Sequence, residues 1–494
     1  MTSATSRSPT PTGVTGEDAK AALRSSSTVE VTMAREATAD VVIVGAGGGG
    51  YPAAFALDRA GRSVVLVDPI GNLGGNCLAE GCIPSKAVRE ASLIRARSTR
   101  AETFGLRGTA LDVDWSGVLA HKDRVQRLRY EQHTDELRAS TIRFMTATAR
   151  IDDAERIAIE EADGSTTLVR FHDLVLATGS APSRLAIAGA DLAVTSHELF
   201  RLGADLPFPS RPVIIGGGYI GVETASMLAN LGAAPTILEA TGGLLPGYDA
   251  ALATGLASLL GQRVQLHVDA LVRSITRVGS DYEVSWQHGG DVHVTRGDLV
   301  IMATGRHVQL PEGIDALGLA PDRAPTVDAQ LRTSHPRVWA PGDVNGRTPL
   351  FHAAVRQSLV VAHCIMAGGR STDAMDFDAV PTTVFTEPEV ASVGLTEVEA
   401  RTRHGDVMVG HYDFAGDARA QILDEREGFL ALIAEPHRGT LLGAQVLGVD
   451  AAQLIAPLAL AIHAGLTVDQ LATMAFPHPM ASEGIDRAAR SLRP

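Results

Sequence analysis

Short apolar runs that lead into glycine-rich turns recur along the chain, and helical segments follow them. Residues 40–44 form such a run before a cluster of glycines, residues 51–61 have a helical pattern, and residues 63–67 form a second apolar run. The same succession returns between residues 212 and 239. A strand, a tight turn, a helix and another strand in this order predict a parallel sheet covered by helices. The pattern therefore predicts an α/β protein that contains two such units.

The pattern changes towards both ends of the chain. Residues 1–39 are rich in Ser, Thr and Ala and show no sustained apolar period, so we predict a disordered N-terminal tail. From about residue 380 short strand-like segments dominate, and two helical segments follow them after residue 450. This C-terminal pattern is typical of an α+β domain.

Composition narrows the class of protein. The chain has 494 residues, of which 45% are hydrophobic and 20% are charged, as expected of a globular protein with several domains. Its net charge of -14 argues against nucleic acid as a partner, because that interaction needs a basic surface. No apolar run reaches the roughly 18 residues of a membrane span, so we expect no membrane partner. Three cysteines are too few for a disulfide-stapled secreted protein, and we therefore expect a cytoplasmic location.

Two glycine motifs have the spacing of dinucleotide-binding turns. The first places GxGxxG between a strand and a helix, with an acid at the end of the next strand: Gly45, Gly47, Gly50 and Asp68. Glycines at these positions let the backbone approach a pyrophosphate at a helix N-terminus, while the acid accepts ribose hydroxyls. The second motif repeats this pattern with Gly216, Gly218, Gly221 and Glu239. We predict NAD rather than NADP there, because a carboxylate repels a 2′-phosphate and no arginine follows it.

The segment 74–86, GGNCLAEGCIPSK, holds two of the three cysteines. A regular helix would separate Cys77 and Cys82 by about 7.5 Å along its axis, which is too far for a disulfide. If the two cysteines bond, the backbone between them has to be irregular, and Gly81 supplies the freedom for this. Pro84 suits the first turn of a helix, so Cys82 would lie where helix amides lower the pKa of a thiol. Two unrelated buried thiols are the alternative.

This segment resembles the redox-active disulfide signature of the class I pyridine nucleotide–disulfide oxidoreductases, which include lipoamide dehydrogenase, glutathione reductase and mercuric reductase. The resemblance extends from residue 40 to the C-terminus through several spaced motifs, and the sequence GGY at 49–51 is closest to lipoamide dehydrogenases. The chain departs from the family at Asn76, where Thr is usual. It also departs at Phe476 and Met480, where His and Thr are frequent.

The resemblance implies FAD at the first glycine motif and NAD at the second, in two nested Rossmann-like domains followed by an α+β dimerisation domain. The implied boundaries are a tail at 1–39, a FAD-binding domain at 40–185 and 309–378, an NAD-binding domain at 186–308, and a dimer-interface domain at 379–494. The residues implied for FAD are Gly45, Gly47, Gly50, Asp68, Gly75, Asn76, Lys86, Ala149, Thr178, Gly179, Gly342, Asp343, Leu350, Phe351, His352 and Ala353. Those implied for NAD are Gly216, Gly218, Tyr219, Ile220, Gly221, Glu239 and Gly305. No metal-binding residues are implied.

The resemblance also implies how the redox groups act. Cys77 and Cys82 would form the redox-active disulfide, with the Cys82 thiolate against the flavin. Lys86 would pair with Glu223 beside the flavin edge and tune hydride transfer. Taken by itself, Glu223 would be only an acid in the first turn of a helix, favoured there by the helix dipole.

A histidine near the C-terminus is implied as the acid–base group. In the sequence HPMASE, His478 and Glu483 correspond to the family's base and its carboxylate partner, which is the pairing that proton transfer at a thiol requires. The family joins the two cysteines of one subunit with this pair of the other subunit. The resemblance therefore implies a homodimer whose monomer is inactive.

Together these features lead us to expect an enzyme that oxidises dihydrolipoamide to lipoamide and reduces NAD⁺. Its dithiol substrate would be a small molecule or a lipoyl domain, and the expected partner is a 2-oxo acid dehydrogenase complex. Three alternatives stay open: a related NAD(P)H-dependent disulfide or small-thiol reductase similar to mercuric or glutathione reductase, a flavin NADH oxidase or transhydrogenase, and a non-catalytic flavin-binding subunit. Mercury chemistry is disfavoured because the chain keeps His478 and ends in SLRP without a cysteine pair.

Overall fold

The computed structural model describes residues 35–319 and 322–493. The strands in these residues are β1 (Arg35–Val44), β2 (Val64–Val67), β3 (Arg143–Met145), β4 (Ala147–Ile151), β5 (Arg156–Glu161), β6 (Thr166–Leu176), β7 (Ser180–Pro182), β8 (Pro212–Ile215), β9 (Thr236–Leu238), β10 (Gln265–His267), β11 (Leu271–Val278), β12 (Asp281–His288), β13 (Asp291–Gly297), β14 (Leu299–Met302), β15 (Arg306–Val308), β16 (Val338–Trp339), β17 (Thr382–Val384), β18 (Glu389–Gly394), β19 (Met408–Asp413), β20 (Phe429–Ala434) and β21 (Leu441–Gly448). The α-helices are α1 (Tyr51–Arg59), α2 (Gly75–Ala79), α3 (Cys82–Thr99), α4 (Trp115–Arg138), α5 (Ser196–Phe200), α6 (Tyr219–Asn230), α7 (Ala250–Leu260), α8 (Phe351–Met366), α9 (Glu397–His404), α10 (Ala418–Leu423), α11 (Ala451–His463), α12 (Val468–Leu471) and α13 (Glu483–Ser491).

The prediction of a disordered tail is wrong for its last five residues. β1 begins at Arg35, and residues 35–39 pair in parallel with residues 167–171 of β6. Most of these five side chains are exposed or half-buried, so no apolar period marks them in the sequence. Backbone hydrogen bonds to a strand more than a hundred residues away order them instead. The rest of the predicted tail, residues 1–34, lies outside the described residues.

The first sheet has the strand order β3-β2-β1-β6-β5-β4, and β16 also pairs with β6. The pairs that join β3, β2, β1, β6 and β16 are parallel, whereas β4 and β5 extend the sheet in antiparallel pairing. α1 connects β1 to β2 and packs against α8, where Ser358 Oγ accepts a hydrogen bond from the backbone N–H of Ala53 at 2.9 Å. The late segment that contains α8 thus returns to the first Rossmann-like unit.

The second unit repeats the arrangement on a smaller scale. Its parallel sheet has the order β10-β9-β8-β14, with α6 directly after β8, and a three-stranded antiparallel meander, β11-β12-β13, packs on it. β7 and β15 form an antiparallel pair where the chain leaves the first unit and where it returns. The predicted boundaries after residues 185 and 308 fall close to these two strands, and their positions stay a prediction.

The C-terminal unit is an antiparallel sheet with the order β17-β18-β21-β20-β19. α11 packs on β18 and β21, and α13 packs on β19. Val384, Val390 and Leu447 of this unit belong to the same buried apolar cluster as residues of α6 and α7, so the second and third units share a core. The predicted fold class, two nested Rossmann-like units followed by an α+β domain, is confirmed. Among the residues described, no helix combines the length and the apolar character that crossing a bilayer requires.

The glycines of the second motif differ in what surrounds them. A Cβ atom on Gly221 would lie 2.0 Å from the carbonyl oxygen of Gly216, which is far inside contact distance. A Cβ atom on Gly218 would meet no atom within 4 Å. Gly221 is therefore required by the packing of α6 against the turn. Gly218 faces open space, where a ligand can contact the protein backbone.

We predict that Gly221→Ala lowers the free energy of unfolding by roughly 1–3 kcal/mol or more, because the added methyl group overlaps backbone that cannot move aside. Gly218→Ala is the matched control and should cost less than about 1 kcal/mol, the price of a less suitable residue at the helix N-cap. Urea denaturation of the two variants measures the difference. Equal losses of stability would contradict this explanation of the glycine motif.

Candidate active site

The chain between the two cysteines contains a break between two helices. α2 ends at Ala79, and α3 begins at Cys82. Gly81 between them has φ -123° and ψ -111°, and a Cβ atom on it would lie only 2.9 Å from the carbonyl oxygen of Asn76. The predicted irregular backbone is present, and it turns the side chains of Cys77 and Cys82 towards each other. We call residues 77–82 the redox loop.

Both cysteines are free thiols in this structure, and a hydrogen bond joins them. The Cys77 thiol donates to Cys82, and this bond is the main reason why the pKa of Cys82 is lowered and that of Cys77 is raised. The positive charge of Lys86 and the N–H of Cys82 itself also lower the pKa of Cys82. The predicted direction for Cys82 is thus found, but the neighbouring thiol contributes more than the helix amides. In the reduced pair, the thiol of Cys82 is therefore more acidic than that of Cys77.

Lys86 lies one helical turn after Cys82 on α3 and pairs with Glu223 of α6. Lys86 Nζ is 2.7 Å from Glu223 Oε2, and the glutamate side chain is 9% exposed. The other oxygen, Oε1, accepts a hydrogen bond of 2.8 Å from the backbone N–H of Phe385, whose ring centroid lies 4.5 Å from Lys86 Nζ. The predicted pair is therefore formed, and with Phe385 each of the three units of the fold supplies one of the residues in contact.

A cleft of about 500 Å³ opens beside the redox loop and the ion pair. Many of the residues predicted to act in catalysis or cofactor binding line it together: Gly47, Asn76, Cys77, Cys82, Lys86, Gly179, Tyr219, Ile220, Glu223, Gly342, Asp343, Leu350, Phe351 and His352. Burial raises the pKa of Tyr219 to about 12, so its phenol stays protonated at neutral pH. Groups separated by up to 305 positions in the chain, from Gly47 to His352, thus meet in one cavity.

The other predicted cofactor residues lie around this cleft or on the second sheet. Gly45, Gly50, Asp68, Gly75, Thr178 and Ala353 belong to turns and strand or helix ends of the first unit, while Gly216, Gly218, Gly221, Glu239 and Gly305 belong to the second unit. Ala149 lies in the middle of β4, where it pairs with Ile159. The structure therefore divides these residues between the first and the second unit.

The two nucleotide turns have the same internal hydrogen bond. Asp68 Oδ2 accepts from the backbone N–H of Ala46 at 2.7 Å, and Glu239 Oε2 accepts from that of Gly217 at 2.5 Å. Both carboxylates are buried, at 5% and 6% exposure. Each acid is thereby fixed at the mouth of its glycine turn with lone pairs left for ribose hydroxyls. These residues fit a dinucleotide at each turn.

Ser180 joins the groups around the cleft and was missed by sequence reasoning. Its hydroxyl donates to Asp343 Oδ2 at 2.6 Å, and its carbonyl oxygen accepts from Asn76 Nδ2 at 2.5 Å. Arg306 donates to the same hydroxyl and carbonyl oxygens at 2.8 and 2.7 Å. Sequence reasoning also missed Arg306 and Phe385, because their partners are distant in the chain. Only the position of Ser180 and Arg306 directly beside predicted cofactor residues could have pointed to them.

The predicted acid–base pair is present at the far end of the chain. His478 Nδ1 lies 2.9 Å from Glu483 Oε2, and Glu483 is the first residue of α13. The histidine side chain is 72% exposed, and neither residue lines the cleft that holds the cysteines of the same chain. His478 is thus oriented by its carboxylate while its other ring nitrogen faces outward.

Family models match almost all of the described chain. Residues 39–358 match the pyridine nucleotide-disulphide oxidoreductase model, and residues 380–489 match the dimerisation domain of the same family. The chain belongs to the pyridine nucleotide–disulphide oxidoreductases. Within this family it is close to dihydrolipoamide dehydrogenase. Membership implies an enzyme that uses FAD and a pyridine nucleotide.

Individual relatives agree with this assignment. A dihydrolipoyl dehydrogenase of Geobacillus stearothermophilus is 33% identical over 449 residues, which cover 90% of this chain and 94% of that protein. Dihydrolipoyl dehydrogenase 3 of Pseudomonas aeruginosa is 30% identical over 92% of this chain and 97% of its own. Among solved structures, a Cys-to-Ser mutant of the HOCl-induced flavoprotein disulfide reductase RclA from Escherichia coli, as its Cu(II) complex, superimposes with a TM-score of 0.79. It is 26% identical and covers 91% of this chain and 98% of its own.

We predict that Cys77→Ala raises the pKa of Cys82, because it removes the hydrogen bond that stabilises the thiolate. A hydrogen bond to a charged group is worth about 1.5–3 kcal/mol, which corresponds to a shift of about one pH unit or more. The rate of Cys82 alkylation by iodoacetamide, followed by mass spectrometry across pH in reduced enzyme, should therefore reach its midpoint at higher pH.

Cys364→Ala is the control for this experiment. Cys364 is fully buried on α8, away from the redox loop, so its replacement should leave the alkylation midpoint of Cys82 unchanged. A midpoint that does not move in Cys77→Ala, or that moves to lower pH, would show that the Cys77 thiol does not stabilise the Cys82 thiolate.

Proposed function

We propose that this chain is an NAD-dependent dihydrolipoyl dehydrogenase, which oxidises a dithiol through a Cys77–Cys82 disulfide. The observation that supports this most directly is the contact of the two thiols, which lowers the pKa of Cys82 at the start of the helix that also carries Lys86. The similarity to dihydrolipoyl dehydrogenases over 90% of the chain supports the choice of substrate.

Disulfide exchange is the step that the redox loop performs. One sulfur of the reduced substrate attacks Cys77 of the oxidised pair and forms a mixed disulfide, and Cys82 leaves as a thiolate. The second sulfur of the substrate then attacks the first and displaces Cys77. The substrate is released as a disulfide, and the enzyme keeps two electrons as the Cys77 thiol and the Cys82 thiolate. The residues that line the cleft, among them Gly47, Lys86 and Asp343, would hold FAD, which would supply two-electron transfer between the cysteine pair and the nicotinamide.

His478 is the proposed base for the attacking thiol. A carboxylate at Nδ1 fixes the tautomer in which that nitrogen carries the proton, so Nε2 is free to accept a proton from the substrate. His478 is exposed in the single chain and lies outside its own cleft. We therefore propose that it acts on the cysteines of the partner subunit in a homodimer built through the dimerisation domain.

The choice of NAD over NADP rests on Glu239. Its two oxygens are held by the backbone N–H of Gly217 and by the N–H and hydroxyl of Thr241. A fixed, buried carboxylate at this point accepts ribose hydroxyls and repels a 2′-phosphate. No arginine follows it between residues 240 and 247 to offset that repulsion.

The proposed partner protein follows from the proposed substrate. A dihydrolipoyl dehydrogenase acts on lipoyl groups, so we propose a lipoyl domain of a 2-oxo acid dehydrogenase complex as its partner, in the cytoplasm. The alternative is a reductase of disulfides or other small oxidants, and the similarity to the flavoprotein disulfide reductase RclA is the observation that favours it. The two functions share the redox loop and differ in the molecule that reaches it.

We expect the purified, FAD-loaded protein to reduce NAD⁺ when dihydrolipoamide is added, and to prefer NAD⁺ to NADP⁺. Cys82→Ser should lose at least about 10³-fold in this activity, because the displaced thiolate is then absent. Cys364→Ser is the matched control and should keep the activity. Activity that survives Cys82→Ser would exclude the disulfide mechanism. If dihydrolipoamide is inert while NADH reduces another disulfide or Cu(II), the alternative function is correct.

A mixture of two inactive variants tests whether the site is shared between subunits. When Cys82→Ser and His478→Gln chains are refolded together in equal amounts, half of the dimers contain one chain of each kind. One of the two sites in such a dimer has both an intact redox loop and an intact His478, so the mixture should recover roughly a quarter of the wild-type activity. No recovery from mixed dimers would mean that both groups act within one chain.

A further inference from the structure

Glu80 lies inside the redox loop, between the cysteines, and the proposed mechanism gives it no role. Its side chain is only 9% exposed although it carries a carboxylate. Glu80 Oε2 accepts a hydrogen bond from His197 Nδ1, and Oε1 lies 3.9 Å from Arg306 Nη2. A buried carboxylate is stable only when such partners compensate its lost hydration. The carboxylate is therefore an anchoring point and not a solvated loop side chain.

Both partners of Glu80 come from another part of the fold. The redox loop belongs to the first Rossmann-like unit, whereas His197 is on α5 and Arg306 is the first residue of β15, where the chain leaves the second unit. Arg306 is itself fixed, because it donates to the carbonyl and hydroxyl oxygens of Ser180, and its side chain is 14% exposed. Glu80 thus attaches the loop to α5 of the neighbouring unit through His197 and to a fixed arginine, Arg306.

The rest of the loop is held in a different way. Gln126 Nε2 donates to the carbonyl oxygens of Leu78 and Ala79, both at 3.0 Å, which fixes the end of α2. Only Glu80 and Gly81 lie between the two helices, and Gly81 has no side chain. Glu80 is therefore the one residue of this connection whose side chain can fix its conformation. The orientation of Cys82 relative to Cys77 therefore depends on the contacts of Glu80.

We propose that Glu80 is a positioning residue that, through His197 and Arg306, holds the redox loop in the conformation in which Cys77 and Cys82 face each other. Two thiols held in contact close a disulfide more readily than two thiols on a mobile loop, because less freedom is lost on closure. Loosening the anchor therefore shifts the cysteine pair towards the dithiol. This inference rests on the proposed redox role of the cysteines but not on the identity of the substrate.

The test is the thiol–disulfide equilibrium of the FAD-loaded enzyme in anaerobic mixtures of reduced and oxidised dithiothreitol. Maleimide tagging and mass spectrometry give the fraction of Cys77–Cys82 disulfide at each ratio. We expect Glu80→Ala to lower the equilibrium constant for disulfide formation about tenfold, which raises the reduction potential by about 30 mV. Glu80→Gln keeps the hydrogen-bonding shape without the charge, so its shift should be smaller. His197→Leu should shift the equilibrium in the same direction as Glu80→Ala.

His172 offers a matched control. It is an exposed histidine whose Nδ1 lies 2.8 Å from a buried carboxylate, Asp173, and Arg337 lies 3.5 Å from the same carboxylate. This triad resembles that of Glu80, but His172 and Asp173 lie on β6 and none of the three residues lines the cleft. His172→Leu should leave the cysteine equilibrium within about twofold of the wild type, as expected of a surface substitution.

The outcomes separate the possible explanations. If Glu80→Ala and His197→Leu both stay within about twofold of the wild type, Glu80 does not position the loop. An equal shift in His172→Leu also overturns the proposal, because the effect would then be general loosening. The side chain of His197 is 56% exposed, so we expect His197→Leu to fold. If Glu80→Ala fails to fold, the cysteine equilibrium of His197→Leu alone tests whether the anchor positions the loop. If the wild type ignores dihydrolipoamide but the shift is found, the proposed function is wrong and the role of Glu80 stands.

Discussion

The break between α2 and α3 is the constraint on which the site depends. One continuous helix would keep Cys77 and Cys82 apart, and the turn at Glu80 and Gly81 brings their sulfur atoms into hydrogen-bonding contact. That contact makes the two thiols unequal, because the hydrogen bond from Cys77 lowers the pKa of Cys82 and raises that of Cys77. The same break starts α3, the helix that carries Lys86 one turn further on. The break between α2 and α3 thus accounts both for the different pKa values of the two thiols and for the position of Lys86.

The surroundings of α3 explain why three units are needed for one site. Lys86 would be a solvated lysine on an isolated helix, but α6 supplies Glu223 and the C-terminal sheet supplies Phe385. The second and third units share an apolar core that includes residues of α6, Val384 and Leu447, and this core fixes the distance between the two partners of Lys86. Packing far from the cysteines therefore determines the geometry next to them.

The two glycine turns share one local arrangement of an acid and a backbone N–H. In each, a buried acid accepts a hydrogen bond from the backbone N–H that follows the first glycine of the motif. The turns differ in what lies beyond this shared bond. The first opens onto the cleft beside the redox loop, where Gly47 is part of the lining, and the second belongs to the sheet of the neighbouring unit. Ser180 and Arg306 link the groups around the cleft through hydrogen bonds that reach Asp343 and Asn76.

The amino-acid sequence by itself determined those features whose cause lies within one segment: the strand–glycine–helix units, the irregular turn that Gly81 permits, and the acids that follow each glycine motif. Lys86 and Glu223, or His478 and Glu483, could be paired because the family resemblance supplied what the local pattern did not. Only the tertiary structure decided the start of β1 at Arg35, the hydrogen bond from Phe385 to Glu223, and the partners of Ser180 and Glu80. These depend on backbone pairing and burial between segments more than a hundred residues apart, and hydrophobic periodicity along the chain carries no record of which distant group will satisfy a buried polar atom.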